Sequence, residues 1–150
     1  MARISIKGVL VGGVTDVGLS TLLGIPFAVW AVLETGIART PKDQIHSAVS
    51  AFMHRPMIFA SEMLIGFGCS ILGGYVAARL AKHDELLNGC LSAILCIAGG
   101  IWLLATHQNS DPIWQQILEL IASPLLGLLG GYLRLKQRRP TMLSSSASLN

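Results

Sequence analysis

The sequence predicts an all-α integral membrane protein, a bundle of four transmembrane helices. Only 13% of the 150 residues are charged, against about a quarter in a soluble domain. Hydrophobic residues make up 52% and the mean hydropathy is +0.61. Four stretches stay apolar for about 20 residues or more, the length that crosses bilayer hydrocarbon. The sixteen glycines are spread through these stretches instead of being gathered into linkers, as in membrane helices, where glycine lets backbones approach. A chain this short forms one domain, placed here at residues 1–139, with 140–150 as a flexible C-terminal tail.

The first span is expected at 4–33. It is longer than a bilayer requires, and Gly24-Ile25-Pro26 predicts a kink or tilt. Its length and its internal Asp16 argue for a span and against a cleaved leader. Thr40-Pro41-Lys42-Asp43 then carries a helix-start signature, with a threonine cap, proline at the first position and an acid soon after. Ile45, Val49, Phe52 and Met53 recur on one face, so 41–54 is expected to be a short helix on the outer membrane surface. Further spans are expected at 57–81, 86–106 and 113–135, the last interrupted by Pro124.

Lys and Arg set the orientation. With the N-terminus inside, Arg3, Lys7, Arg79, Lys82, Arg134, Lys136, Arg138 and Arg139 lie inside, and Arg39, Lys42 and Arg55 outside. Both termini are therefore expected to be cytoplasmic. Trp30, Trp102 and Trp114 then mark the outer interface, and Tyr75, Arg79, Tyr132 and Lys136 the inner one. The basic run from Lys136 to Arg139 reads as an anchor on anionic lipid, so the partners expected are membrane lipid and not nucleic acid.

Span two aligns with span four at an offset of 57 residues (73 to 130): Gly73-Gly74-Tyr75 falls on Gly130-Gly131-Tyr132, and Glu62 on Glu119. Small residues recur every fourth position on one helix face: Glu62, Gly66, Ser70, Gly74, and Glu119, Ser123, Gly127, Gly131. The first span has Gly8, Gly12, Asp16, Ser20 and Gly24 in the same spacing. Such faces let helices pack closely in lipid. The pattern predicts two hairpins of the same orientation, a parallel repeat about the membrane normal.

Asp16, Glu62 and Glu119 are the three acids inside the spans, and no span core holds a lysine or arginine to neutralise them. A mid-membrane charge costs at least about 2.5 kcal/mol. Each acid must be protonated, hydrated, bound to a cation, or hydrogen-bonded to a hydroxyl such as Thr15, Ser20, Thr21 or Ser61. They are the candidate proton- or cation-handling residues; the alternative is polar glue between helices.

Little else suggests chemistry. Cys69, Cys90 and Cys96 have no Cys-x-x-Cys spacing and read as small buried side chains. His46, His54, His83 and His107 lack zinc-ligand spacing. No nucleophile, metalloprotease or phosphate-loop motif occurs, so neither an enzyme nor a metal or cofactor site is expected.

The segment Gly73-Gly74-Tyr75-Val76-Ala77-Ala78-Arg79-Leu80-Ala81, followed by Leu86-Leu87-Asn88-Gly89, resembles small uncharacterised bacterial four-span membrane proteins with a Gly-Gly-Tyr-x-Ala-x-Arg segment. The resemblance implies a bacterial inner membrane and no particular activity. The first functional expectation is a structural or accessory protein packing through its small-residue faces, as a homo-oligomer or with a larger membrane partner. The second is a small proton- or cation-coupled transporter or channel subunit using the intramembrane carboxylates.

Overall fold

The computed structural model describes residues 3–36, 41–106 and 113–147. They form six helices: α1 (Ile6–Thr35), α2 (Lys42–Met53), α3 (Pro56–Ala81), α4 (Glu85–Leu91), α5 (Ile94–Thr106) and α6 (Ile113–Ala147). No strand occurs among the described residues. Four helical stretches are long and apolar enough to cross a membrane: Ile6–Glu34, Pro56–Ala81, Glu85–Thr106 and Ile113–Gln137. Their outward faces carry large apolar side chains, among them Leu22, Leu64, Leu72, Ile121 and Leu125, the arrangement that lipid favours and water does not.

α3 is the central helix, packing on α1 along one flank and on α6 along the other. Its course is antiparallel to α1: Gly8 lies against Ala77 and Ala81, Gly12 against Gly73, and Asp16 against Ser70. α4 and α5 run parallel to α1, pairing Ser5 with Asn88, Gly13 with Leu95 and Asp16 with Cys96. α3 and α6 run parallel to each other, with Gly74 against Gly127, Gly130 against Ile71 and Tyr75, and the Tyr75 hydroxyl donating to Gln137 at 2.7 Å. Arg3, Arg79 and Lys136 thus sit at one end of the bundle, with Tyr75 and Tyr132 near it, and Trp30, Trp102 and Trp114 lie toward the other.

Glycine explains how closely these helices approach at the first end. An added Cβ would lie 2.8 Å from the Ala77 carbonyl oxygen at Gly8, 2.6 Å from that of Gly73 at Gly12, and 2.7 Å from that of Gly12 at Gly73. At Gly74, Gly127, Gly130 and Gly131 it would also overlap facing backbone. Gly89 joins them, meeting Gly127 and Gly131. Two expected packing glycines behave differently: an added Cβ at Gly24 or Gly66 meets nothing within 4 Å. The helices have diverged there, so these glycines occupy the right periodicity without a facing backbone.

Asn88 ties the chain's start to the α3–α4 turn. It is 0% exposed. Its Oδ1 accepts from the Ser5 amide at 2.7 Å, and its Nδ2 donates to the carbonyls of Arg3, His83 and Asp84 at 3.2, 3.0 and 3.0 Å. Ser5 also caps α1, accepting from the Gly8 amide, and the Asp84 carboxylate accepts from the Arg3 amide at 2.7 Å.

At the opposite end α2 is fastened by Phe52, buried with Ala31 and Ile58 against Phe27 and Met53. Trp30 meets its ring edge-on at 5.6 Å, and the Arg55 guanidinium, paired with Glu34, lies 4.9 Å from its centroid.

Several boundaries depart from expectation. The third span is interrupted at Ser92–Ala93, where the Ser92 hydroxyl donates to the Gly89 carbonyl at 2.7 Å, a local bond that competes with the helix ladder. Helix α1 continues through Pro26, and α6 through Pro124; intramembrane prolines are tolerated where neighbours re-satisfy the freed backbone groups. Pro41 caps α2 in place of occupying its first turn; the Thr40 cap lies outside the described residues. α6 runs to Ala147, so most of the expected 140–150 tail continues the helix. Strong helix formers at Lys136, Gln137, Arg138 and Arg139 carry it past the apolar stretch.

Candidate functional site

Toward the tryptophan end, the diverging helices enclose a cavity of about 400 Å³. Asp16 and Ser20 come from α1, Glu62 and Ser70 from α3, Cys96 from α5, and Gln115, Glu119 and Ser123 from α6. Met53 at the end of α2, and His54 just beyond it, also border the space. All three candidate carboxylates therefore line one cavity.

Asp16 lies deepest, 3% exposed. Both of its oxygens accept from the Ser70 hydroxyl, at 3.2 and 3.1 Å, and Oδ2 accepts from the Cys96 thiol at 3.1 Å. The placement follows from the glycines. Gly12 and Gly73 bring α1 and α3 close enough for a short aspartate to reach a serine on the facing helix.

Glu62 stands eight residues before Ser70 on α3, about 12 Å along the axis at 1.5 Å per residue. It is half-buried, and Glu119 is exposed at the rim. Glu119 accepts from Gln115 Nε2 at 3.2 Å, a bond across one helical turn that keeps Gln115 inside, 8% exposed. The Ser123 hydroxyl stands beside the Cys96 thiol. It is enclosed and makes no hydrogen bond of ordinary geometry among the described residues.

Of the hydroxyls expected to bond the acids, Ser20 bonds Asp16, one turn along α1, and the other three do not bond an acid. Thr15, Thr21 and Ser61 donate to the carbonyls one turn back in their own helices, at Val11, Val17 and Met57. Asp16 is held also by Ser70, a residue of the α3 small stripe, and by Cys96, expected only as a small buried side chain. Ser70 has a trace in sequence, in register with Glu62 on the α3 stripe. Cys96 shares a weaker line with Ser92 and Gly100. Neither trace says which carboxylate it serves, because that depends on the pairing of three helices.

Between the polar groups the wall is apolar, with Phe59, Met63 and Phe67 from α3 and Leu104 and Leu120 opposite. No lysine or arginine among the described residues lines the cavity. Among the described residues, no three His, Cys, Asp or Glu side chains are grouped so as to hold a metal ion. The arrangement offers carboxylates, hydroxyl and thiol hydrogen-bonding groups and an apolar wall.

No protein-family profile, curated protein or solved structure matches the chain. The fold and site define it only as a helical protein with four candidate membrane spans and an acid-lined internal cavity.

Proposed function

We propose that this is a small multi-pass membrane protein that takes protons or cations into the cavity between its helices, as a transporter or channel subunit. The observation that carries this is the convergence of Asp16, Glu62 and Glu119 on one space that, among the described residues, no lysine or arginine lines. Asp16, accepting from Ser70 and Cys96, is the inner station, and Glu119 at the rim is the entry group.

The second reading is a structural or accessory protein that packs through small-residue faces. The glycines at the basic end lie inside the bundle, against Gly73, Ala77, Gly127 and Gly131, while Gly24 and Gly66 meet nothing within 4 Å and are the positions left for that reading. The parallel course of α3 and α6 supports the two hairpins as repeats. The basic residues at the Arg3 and Lys136 end support placing both termini in the cytoplasm, with the tryptophan end and α2 outside. A bacterial inner membrane and assembly of two or more copies complete the proposal, because four helices form a narrow pore alone.

The test is flux in vesicles containing only this chain, loaded with a pH-sensitive dye and placed under an imposed cation gradient. The expected result is a protein-dependent proton movement that Asp16→Asn lowers about tenfold or more, with a smaller loss for the paired Glu62→Gln and Glu119→Gln. Vesicles with wild-type protein that behave as protein-free vesicles would overturn the proposal.

A further inference from the structure

The wall of the cavity restricts the class of solute, given the reading above of an acid-lined transport site. Its acids are spread along the bundle. Glu62 lies about 12 Å along α3 from the serine that holds Asp16, and Glu119 about 6 Å along α6 from Ser123. A hard metal ion takes six or more oxygens at about 2.0–2.6 Å from one point, and carboxylates two turns apart cannot supply them. The space itself is of ligand size, about 400 Å³, within the range of small-molecule sites.

The apolar part of the wall points the same way. Met63 and Phe67 lie along α3 between Glu62 and Ser70, and Phe59 one turn before Glu62, with Ile101, Leu104 and Leu120 also lining the space. Aromatic faces attract weakly hydrated cations, and methionine adapts to varied apolar shapes. The hydroxyl of Ser123, a residue 8% exposed, borders the cavity with no hydrogen bond of ordinary geometry. Enclosed polar groups are ordinarily paired, and Ser123 has among the described residues only the weak thiol of Cys96 beside it, which leaves its hydroxyl capacity for a ligand's polar atom.

We infer that the cavity binds a lipophilic organic cation, an amine or onium compound with an aromatic or aliphatic body, its charge toward Asp16 and its body against Phe59 and Phe67. Glu119 draws the cation in at the rim, and Ser123 meets an N–H group where the ligand has one. Inorganic cations are too small to touch both the carboxylate and the apolar wall.

The probe is tritiated tetraphenylphosphonium, with equilibrium dialysis against the full chain in dodecylmaltoside micelles. Saturable binding is expected, competed by dodecyltrimethylammonium and not by neutral triphenylphosphine oxide, sodium or calcium. Asp16→Asn weakens it about thirtyfold or more, as for a buried charge partner. Glu119→Gln, at an exposed position that leaves folding intact, weakens it about threefold, as for a surface pair. Absence of saturable binding, equal competition by the neutral oxide, displacement by sodium or calcium, or unchanged affinity in both variants would each overturn the inference. If those results came with Asp16-dependent proton flux in vesicles, only the solute class would fall. If the flux were absent too, the transport reading would fall with it.

Discussion

The two ends of this bundle use the same helices and the same four-residue spacing of small side chains, yet they do opposite things. At the Arg3 end, glycine faces glycine. Gly12 meets Gly73, Gly74 meets Gly127, and Gly89 meets both Gly127 and Gly131. The gaps are closed, and Asn88 satisfies four backbone groups where the chain start meets the α3–α4 turn. Toward the tryptophan end, Gly24 and Gly66 continue two of those stripes with no atom within 4 Å of an added Cβ. A cavity bordered by three carboxylates opens there instead. Helices drawn together at one end must part at the other when larger residues such as Phe59, Phe67 and Leu120 fill the space between them. A small-residue stripe is therefore a permission for close packing, and the facing helix decides whether it is used.

Substitutions that break this contrast should differ sharply in size. Gly74→Leu has the largest expected effect, because its side chain would overlap the Gly127 backbone. A loss of about 3 kcal/mol or more is expected, seen as failure to refold from dodecyl sulfate by circular dichroism. Asn88→Ala comes next. It removes the side-chain partner of the Ser5 amide and of the Arg3 and His83 carbonyls, while the Asp84 carbonyl keeps the backbone amide of residue 88, and a loss of about 1–3 kcal/mol is expected in the same unfolding titration.

At the open end the sign should reverse. Gly66→Ala and Gly24→Ala, with free space around the new methyl, should each stabilise by about 0.4–1 kcal/mol by restricting the unfolded chain. If either behaved like Gly74→Leu, the two ends would not differ as described. Ser123→Ala is the smallest. Among the described residues its hydroxyl has only the weak thiol of Cys96 beside it, so stability should change by less than about 0.5 kcal/mol, while tetraphenylphosphonium dialysis shows whether the cavity notices the loss. A loss as large as that of Asn88→Ala would show a bonded structural hydroxyl in place of a ligand-facing one.

Much of the architecture was legible in the sequence because its causes are local. Hydropathy over about 20 residues is a property of each segment alone, and it located four helices long and apolar enough to span a membrane. Asp16, Glu62 and Glu119 were conspicuous for a similarly local reason, acids without a basic neighbour in apolar runs. The spacing of the glycines showed which faces were narrow enough to pack closely.

What lay beyond the sequence depended on several helices at once. That Gly74 and Gly127 are in contact while Gly66 is not follows from where α3 and α6 approach and where they part. That Ser70 and Cys96 hold Asp16, while Thr15, Thr21 and Ser61 turn back to their own helices, follows from the register of α1 against α3 and α5. The role of Asn88 could not be inferred from its neighbours, because the Arg3 and Ser5 groups it holds lie more than 80 residues away in sequence. The sequence by itself determined the helices and placed the acids along them. Only the tertiary structure decided that those acids share one space, because a common cavity is set by relative helix position and not by the periodicity of any one segment.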